Sequence, residues 1–169
     1  SSRMGAEKGL LPLRGIPLIE RVVARLRPQV EKVIISANGD PGRFQICGVE
    51  IVPDILPGCG PLGGLFSGLR WAHSVGAPFV LTVACDTPFF PQDLGARFAQ
   101  ATADAPLGTA VAHSNDHDHY TFVLHPTACV DELESWLTRP GNRSLQGWLE
   151  GRQLVRVNFV GDPDPFFNI

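Results

Sequence analysis

Apolar residues recur three and four apart from Leu18 onward, placing Leu18, Ile19, Val22, Val23 and Leu26 on one face between Pro17 and Pro28. The spacing predicts an amphipathic helix. Residues 32–37, KVIISA, are then β-branched and nearly continuous, the pattern of a strand covered on both faces, and they end at Asn38-Gly39. Residues 49–53 form a second, shorter apolar run, which releases Asp54 into the loop PDILPGCGPLGG. Leu62, Leu65, Phe66, Leu69 and Ala72 return to helical spacing. Residues 79–84, FVLTVA, predict a third buried strand that hands over to Cys85-Asp86-Thr87-Pro88, and a helix over 91–103 follows with Leu94 and Phe98 facing inward. Residues 109–112 and 120–124 read as two strands around the polar turn SNDHDH, close enough to pair antiparallel. Helices over 127–138 and 144–150 and a last strand over 154–159 complete the series.

Strand and helix alternate over most of the length, which predicts an α/β fold: an open, mainly parallel sheet with helices on both faces and one late antiparallel strand. Ligands in such sheets bind beyond the carboxyl ends of the strands. Three predicted strands deliver Asn38, Asp54 and Asp86 to that edge independently. Turns favour Asn and Asp for local reasons, so each residue alone is ambiguous, and their coincidence carries the inference.

Length and composition fit one domain: 169 residues, 44% hydrophobic and 18% charged, can bury a full core. A net charge of −3 with no dense basic run excludes general binding to a nucleic-acid backbone but leaves room for a small anion held by local cations. Cys47, Cys59, Cys85 and Cys129 form no CxxC pair, and no apolar run is long enough to span a bilayer. These features predict a reduced, cytoplasmic protein that does not enter the membrane. The eighteen glycines and fifteen prolines fall mostly between apolar segments, as turns rather than as one linker.

The chemistry concentrates at two places. In SSRMGAEKGLLPLRG, Ser1, Ser2 and Gly5 let backbone N–H groups approach phosphate oxygens, and Arg3 and Lys8 supply positive charge. In ACDTP, Asp86 sits between an apolar strand and Pro88, aimed out of the sheet edge, where it can hold Mg²⁺. Nucleotidyl transfer needs charge neutralisation and in-line positioning more than a strong base, and these residues supply both. Lys8 as a solvated loop lysine and Asp86 as a turn-capping residue are the plainer alternatives.

RMGAEKGLLPLRGIPLIERVVARLRPQV, ISAN, the aspartate of VPDILPG, GPLGGL, ACDTPFFPQDL and GNRSLQGWL occur in this order. Together they resemble the MobA-like nucleotidyltransferase family, in its molybdenum cofactor guanylyltransferase branch rather than the related cytidylyl branch. The resemblance runs through nearly the whole chain. It implies a Rossmann-like three-layer α/β/α sandwich that binds GTP with Mg²⁺, attaches GMP to molybdopterin-bound molybdenum and releases pyrophosphate. On that basis Lys8 resembles the lysine that steadies the nucleotide phosphates, Asn38 and Asp54 resemble guanine-nucleotide pocket residues, and Asp86 resembles the metal-holding aspartate. Gly63 and Gly64 would admit the nucleotide close to the backbone, and Arg3 would meet a phosphate. A molybdoenzyme or a cofactor-delivery protein is the implied macromolecular partner. The family pattern has a further strand and a Leu-Ala-Gly-Gly segment ahead of Ser1 and continues past Ile169, so residues 1–169 read as one nucleotidyltransferase domain without those two pieces. Ala84 stands where proline is usual, and Gly39 where arginine is common.

Competing readings keep the fold and change the chemistry: CTP or another acceptor, or a module that binds the molybdenum cofactor without catalysis. His113, His117, His119 and His125, with Asp116 and Asp118, match no closed four-ligand pattern and read as a polar loop at the substrate edge rather than a zinc site. Cys85 reads as a small buried thiol, and Trp71, Trp136 and Trp148 as core packing.

Overall fold

Residues 8–105, 107–141 and 144–169 are described by the structure, a computed structural model. Arg3, with Ser1, Ser2 and Gly5, lies outside the described residues. Two short strands, β1 (Pro12–Leu13) and β2 (Ile16–Pro17), pair as a hairpin through Arg14 and Gly15, both at positive φ. Two-residue strands carry no readable period, so the hydrophobic pattern does not show them. Helix α1 (Leu18–Leu26) starts directly after Pro17 and buries the five residues that the spacing selects.

Strands β3 (Ile34–Ser36) and β4 (Glu50–Val52) run parallel, with Ser36 opposite Val52, so both chains leave the sheet at the same edge. A 3₁₀ turn over Pro41–Cys47 joins them, capped by the Asp40 carboxylate, which accepts the Gly42 N–H at 2.9 Å. Helix α2 (Pro61–Ser74) packs on β3 and on β5 (Phe79–Thr82). Helix α3 (Leu94–Ala101) leads to β6 (Thr109–Ser114) and β7 (His117–Pro126). After α4 (Val130–Thr138) and α5 (Leu145–Glu150), the last strand β8 (Leu154–Asn158) lies parallel to β6.

The larger sheet has the order β5-β7-β6-β8. Only β7 is reversed, which is the expected late antiparallel strand. Among the described residues the β3–β4 pair forms a ladder of its own. The two faces of the sheet are covered by different helices, as alternation along a strand requires. Val111 and Val123 face α2, α4 and α5, while Ala110, Phe122 and Leu124 face α1 and α3. A third cluster, Ile19, Val23, Ile35, Phe44 and Cys47, fills the space between α1, β3 and the 3₁₀ turn.

Three expectations change. Residues 32–37 are covered less than a doubly buried strand, because Ile35 is buried while Val33 and Ile34 are half-buried and Ser36 is exposed. The β6–β7 hairpin is longer than the apolar runs suggest, and its turn shrinks to Asn115–Asp116, both at positive φ as a two-residue hairpin turn demands. His125 does not belong to a polar loop. It is fully buried near the far end of β7, roughly 25 Å of extended chain from His117, on the face covered by α2, α4 and α5. Trp148 is buried and meets the half-buried Trp136 edge-on at 5.8 Å, whereas Trp71 is half-buried.

Candidate active site

Strand register brings the first group together. Asn38 and Asp54 follow β3 and β4, and Ala37 N–H donates to the Val52 carbonyl at 3.1 Å, extending the parallel pairing to the point where the chains part. Asn38 Nδ2 then donates to Asp54 Oδ2 at 2.8 Å, and Asp54 N–H donates back to Asn38 Oδ1 at 2.9 Å. Ser36 Oγ adds a third contact, to Asp54 Oδ1 at 3.3 Å. The carboxylate is therefore held from two sides, with lone pairs left for a ligand. Arg43 secures the other end by donating to the Asn38 carbonyl at 2.6 Å.

The first turn of α2 closes against this group. A Cβ on Gly64 would lie 2.7 Å from Ser36 Oγ, and one on Gly63 would lie 3.1 Å from the Leu56 carbonyl and 3.4 Å from Asp54 Oδ2. Glycine here lets the helix start touch Ser36 and Asp54. Gly60, ahead of Pro61, has φ +56 and supplies the sharp entry. The loop between is fixed from within the helix: buried Ser67 accepts the Ile55 N–H at 2.8 Å. The positive end of a fourteen-residue helix thus opens beside Asp54, with the Gly63 N–H donating to the Gly60 carbonyl at 3.0 Å.

The second group stands beyond β5. Lys8 Nζ lies 3.5 Å from Asp86 Oδ2, with side-chain exposures of 38% and 18%. So long and so open an ion pair is weak, and either partner can exchange it for a phosphate or a cation. Gly9 permits the approach, because a Cβ there would sit 3.3 Å from the Cys85 Cβ. Burial, with the Asp86 carboxylate adding to it, pushes the Cys85 thiol up, so it stays protonated and is a poor nucleophile. Ala37 and Cys85, the neighbours of Asn38 and Asp86, pack against the same cluster around Ile19 and Ile35. The ends of β3, β4 and β5 are thereby fixed relative to one another.

A third group gathers the β6–β7 hairpin and the C-terminal segment around Asp164. The Asp164 carboxylate accepts from Ser114 Oγ at 2.9 and 3.0 Å, from Asn115 Nδ2 at 3.1 Å and from the Phe166 N–H at 2.9 Å. Burial raises the Asp164 carboxyl, but these hydrogen bonds outweigh it and hold the group below the usual range. Because Ser114 spends its proton on Asp164, it accepts from His119 Nε2, 2.7 Å away. Burial lowers His119 despite Asp164, which keeps the imidazole neutral near pH 7. Next to it, His113 Nδ1 donates to Asp118 at 2.7 Å, and Arg156 Nε donates to both Asp118 oxygens at 3.0 Å. The C-terminal segment then reaches the end of β5, where Ile169 N–H donates to the Asp86 carbonyl at 3.0 Å. Among the described residues no group of three or more His, Cys, Asp and Glu side chains is arranged to hold a metal ion.

The structure thus gathers Asn38, Asp54 and Gly63 in one group and Lys8 and Asp86 in a second. Sequence reasoning missed Ser36, Ser67 and Asp164. The first two are small polar residues interrupting an apolar strand and an apolar helix face, which is a readable cue; Asp164 sits in DPDPF, where nothing marks it.

Residues 1–157 match the family of MobA-like NTP transferase domains. The chain belongs to this family. MobA-like relatives include a molybdenum cofactor guanylyltransferase from Mesorhizobium japonicum, 42% identical over all of this chain and 85% of its own length. A second, from Rhodobacter capsulatus, is 46% identical over 99% of this chain and 83% of its own. In three dimensions the chain is similar to the molybdopterin-guanine dinucleotide biosynthesis protein A of Archaeoglobus fulgidus, with a TM-score of 0.76, 21% identity, and coverage of 99% of this chain and 86% of that one. A cytidylyltransferase of Thermus thermophilus that acts on 2-C-methyl-D-erythritol 4-phosphate shares the fold at a TM-score of 0.63 and 17% identity, covering 97% and 88%. The MobA-like fold is therefore the α/β architecture expected from the strand and helix pattern.

Proposed function

We propose that this chain is a molybdenum cofactor guanylyltransferase: it transfers GMP from GTP to molybdopterin-bound molybdenum and releases pyrophosphate. What supports the reading is two polar groups at strand ends that share one apolar cluster, Asn38–Asp54 against the start of α2 and Lys8–Asp86 beyond β5, in a family of NTP transferases. An oxygen of the acceptor's terminal phosphate attacks the α-phosphorus of GTP, the bond from that phosphorus to the bridging oxygen breaks, and pyrophosphate leaves.

Each residue has a part in this step. Asp54, oriented by Asn38 and Ser36, accepts from donors of the guanosine, and Gly63 and Gly64 let the nucleotide lie against the backbone. Lys8 and Arg3 hold phosphate oxygens, and Lys8 gives up its weak pairing with Asp86 to do so. Mg²⁺ fits the donor set, since Asp86 offers a single carboxylate and magnesium takes one or two carboxylates together with substrate phosphates. When bound there, the ion supplies neutralisation of phosphate charge. Among the described residues no helix is long and apolar enough to cross a membrane, consistent with chemistry on dissolved substrates.

Donor choice tests the reading. Pyrophosphate release with molybdopterin and molybdate as acceptor, titrated with GTP and with CTP, is expected to favour GTP in kcat/KM by about 10²-fold or more, because a site built to hydrogen-bond one base leaves its polar groups unpaired against another. A preference for CTP, or no release with either nucleotide, contradicts it.

A further inference from the structure

Seven of the ten phenylalanines are buried and Phe79 is half-buried, but Phe89 and Phe167 stand 44% and 40% exposed. They stand together. Their ring centroids are 5.9 Å apart and their planes differ by 18°, an offset stack between the loop that follows Asp86 and the C-terminal segment. Each exposed ring is adjacent in sequence to a buried one. Phe90 packs against Phe122 at 5.8 Å, and Phe166 packs against His119 at 4.6 Å and Phe122 at 4.9 Å. The buried partners act as anchors, and the polar contacts on Asp164 and the Ile169 N–H bond to the Asp86 carbonyl fix the segment at both ends. Two apolar rings are thus held in water on segments joined at the Asp86 backbone, in a chain that buries most of its other phenylalanines.

We infer that Phe89 and Phe167 form a stacking platform for the fused heteroaromatic ring of the pterin acceptor, on the two segments that the Ile169 N–H bond to the Asp86 carbonyl ties together; this rests on the guanylyltransferase reading above. The platform carries no hydrogen-bonding group, so it recognises a π face and not a base edge. The edge-reading polar groups lie at β3 and β4, and that side belongs to the donor nucleotide. An acceptor whose phosphate must meet the α-phosphorus near Lys8 and Asp86 then needs a surface for its ring within reach of Asp86, and the only exposed aromatic pair among the described residues lies on the segments joined at the Asp86 backbone.

Phe89→Leu and Phe167→Leu keep apolar volume while removing the π face. Each is expected to raise the acceptor KM by about 10-fold and the pair together by about 10²-fold, the size of stacking losses on aromatic platforms, with the GTP KM unchanged. Phe89→Tyr and Phe167→Tyr restore the acceptor KM. Anaerobic titration of molybdopterin fluorescence without GTP reads binding apart from chemistry. A protein that binds the pterin and loses it in the leucine variants, yet transfers no GMP, supports the platform and defeats the transferase reading. A protein that transfers GMP with an acceptor KM indifferent to both leucine substitutions overturns the platform alone. A rise in the GTP KM matching that of the acceptor also overturns it, by placing guanine on the rings.

Discussion

Asp86→Ala is expected to lower guanylyl transfer by about 10³-fold or more, the scale seen when a group that stabilises transition-state charge is removed. Folding should survive the change. The side chain is joined to Lys8 by an open ion pair of 3.5 Å, and such pairs contribute less than about 1 kcal/mol. The contact that ties down the C-terminal segment uses the Asp86 backbone carbonyl, which alanine retains. Asp86→Asn keeps the shape and removes the charge, so it should fall nearly as far as the alanine variant. Pyrophosphate release measured beside a thermal melt checks both statements, and near-normal turnover in either variant refutes the role assigned to Asp86.

The second large effect concerns stability. His125 is fully buried, neither ring nitrogen has a hydrogen-bond partner among the described residues, and burial together with nearby Arg152 pulls its pKa down from 6.5 to about 3. The unfolded chain takes up a proton near pH 6.5 that the folded chain refuses, so between these values stability rises with pH. The contribution is complete above pH 6.5 and is lost as the pH falls toward 3, by on the order of 5 kcal/mol in all. His119 is also lowered by burial and adds to this loss. The depressed carboxyls of Asp118 and Asp164 act only lower, as the pH falls through and below the ordinary carboxylate range. Urea unfolding between pH 7 and 4.5 should therefore show a clear loss in the wild type and a shallower one in His125→Leu. At pH 7 that variant should be about as stable as the wild type, since it replaces an unsatisfied polar ring with an apolar group. Equal slopes for the two proteins would contradict this account.

Much of the architecture was legible because the residues that build it carry a period. Leu18, Ile19, Val22, Val23 and Leu26 sit on one helical face between two prolines, and they are the residues that α1 buries. The reversed strand was legible from two apolar runs flanking a polar turn, but its length was not. His117, Asp118 and His119 continue β7 because backbone pairing with Ser114, His113 and Ala112 outweighs their polarity. Opposite the step from Val111 to Ala112, β7 accommodates three extra residues, Tyr120, Thr121 and Phe122, an irregularity that no alternation records. His125 looked like a member of a histidine-rich loop since strand length, and not sequence proximity, decides which end of β7 it occupies. At the site, polar residues ending apolar runs pointed to Asn38, Asp54 and Asp86, whereas the reciprocal Asn38–Asp54 contact depends on the parallel register of β3 and β4. The exposed Phe89–Phe167 pair arises from tertiary packing between segments far apart in the chain, and sequence offers no sign of it.

The central claim is that the ends of β3, β4 and β5 make one site for GTP, divided between a nucleoside side at Asp54 and a phosphate-metal side at Asp86. Calorimetric titration of GTP, with and without Mg²⁺, into the wild type, Asp54→Asn and Asp86→Ala addresses it most directly. The account predicts one GTP per chain bound more tightly with Mg²⁺, an affinity weakened in Asp54→Asn under both conditions, and a Mg²⁺ enhancement lost in Asp86→Ala. GTP binding indifferent to both substitutions, or an enhancement that survives Asp86→Ala, would contradict it.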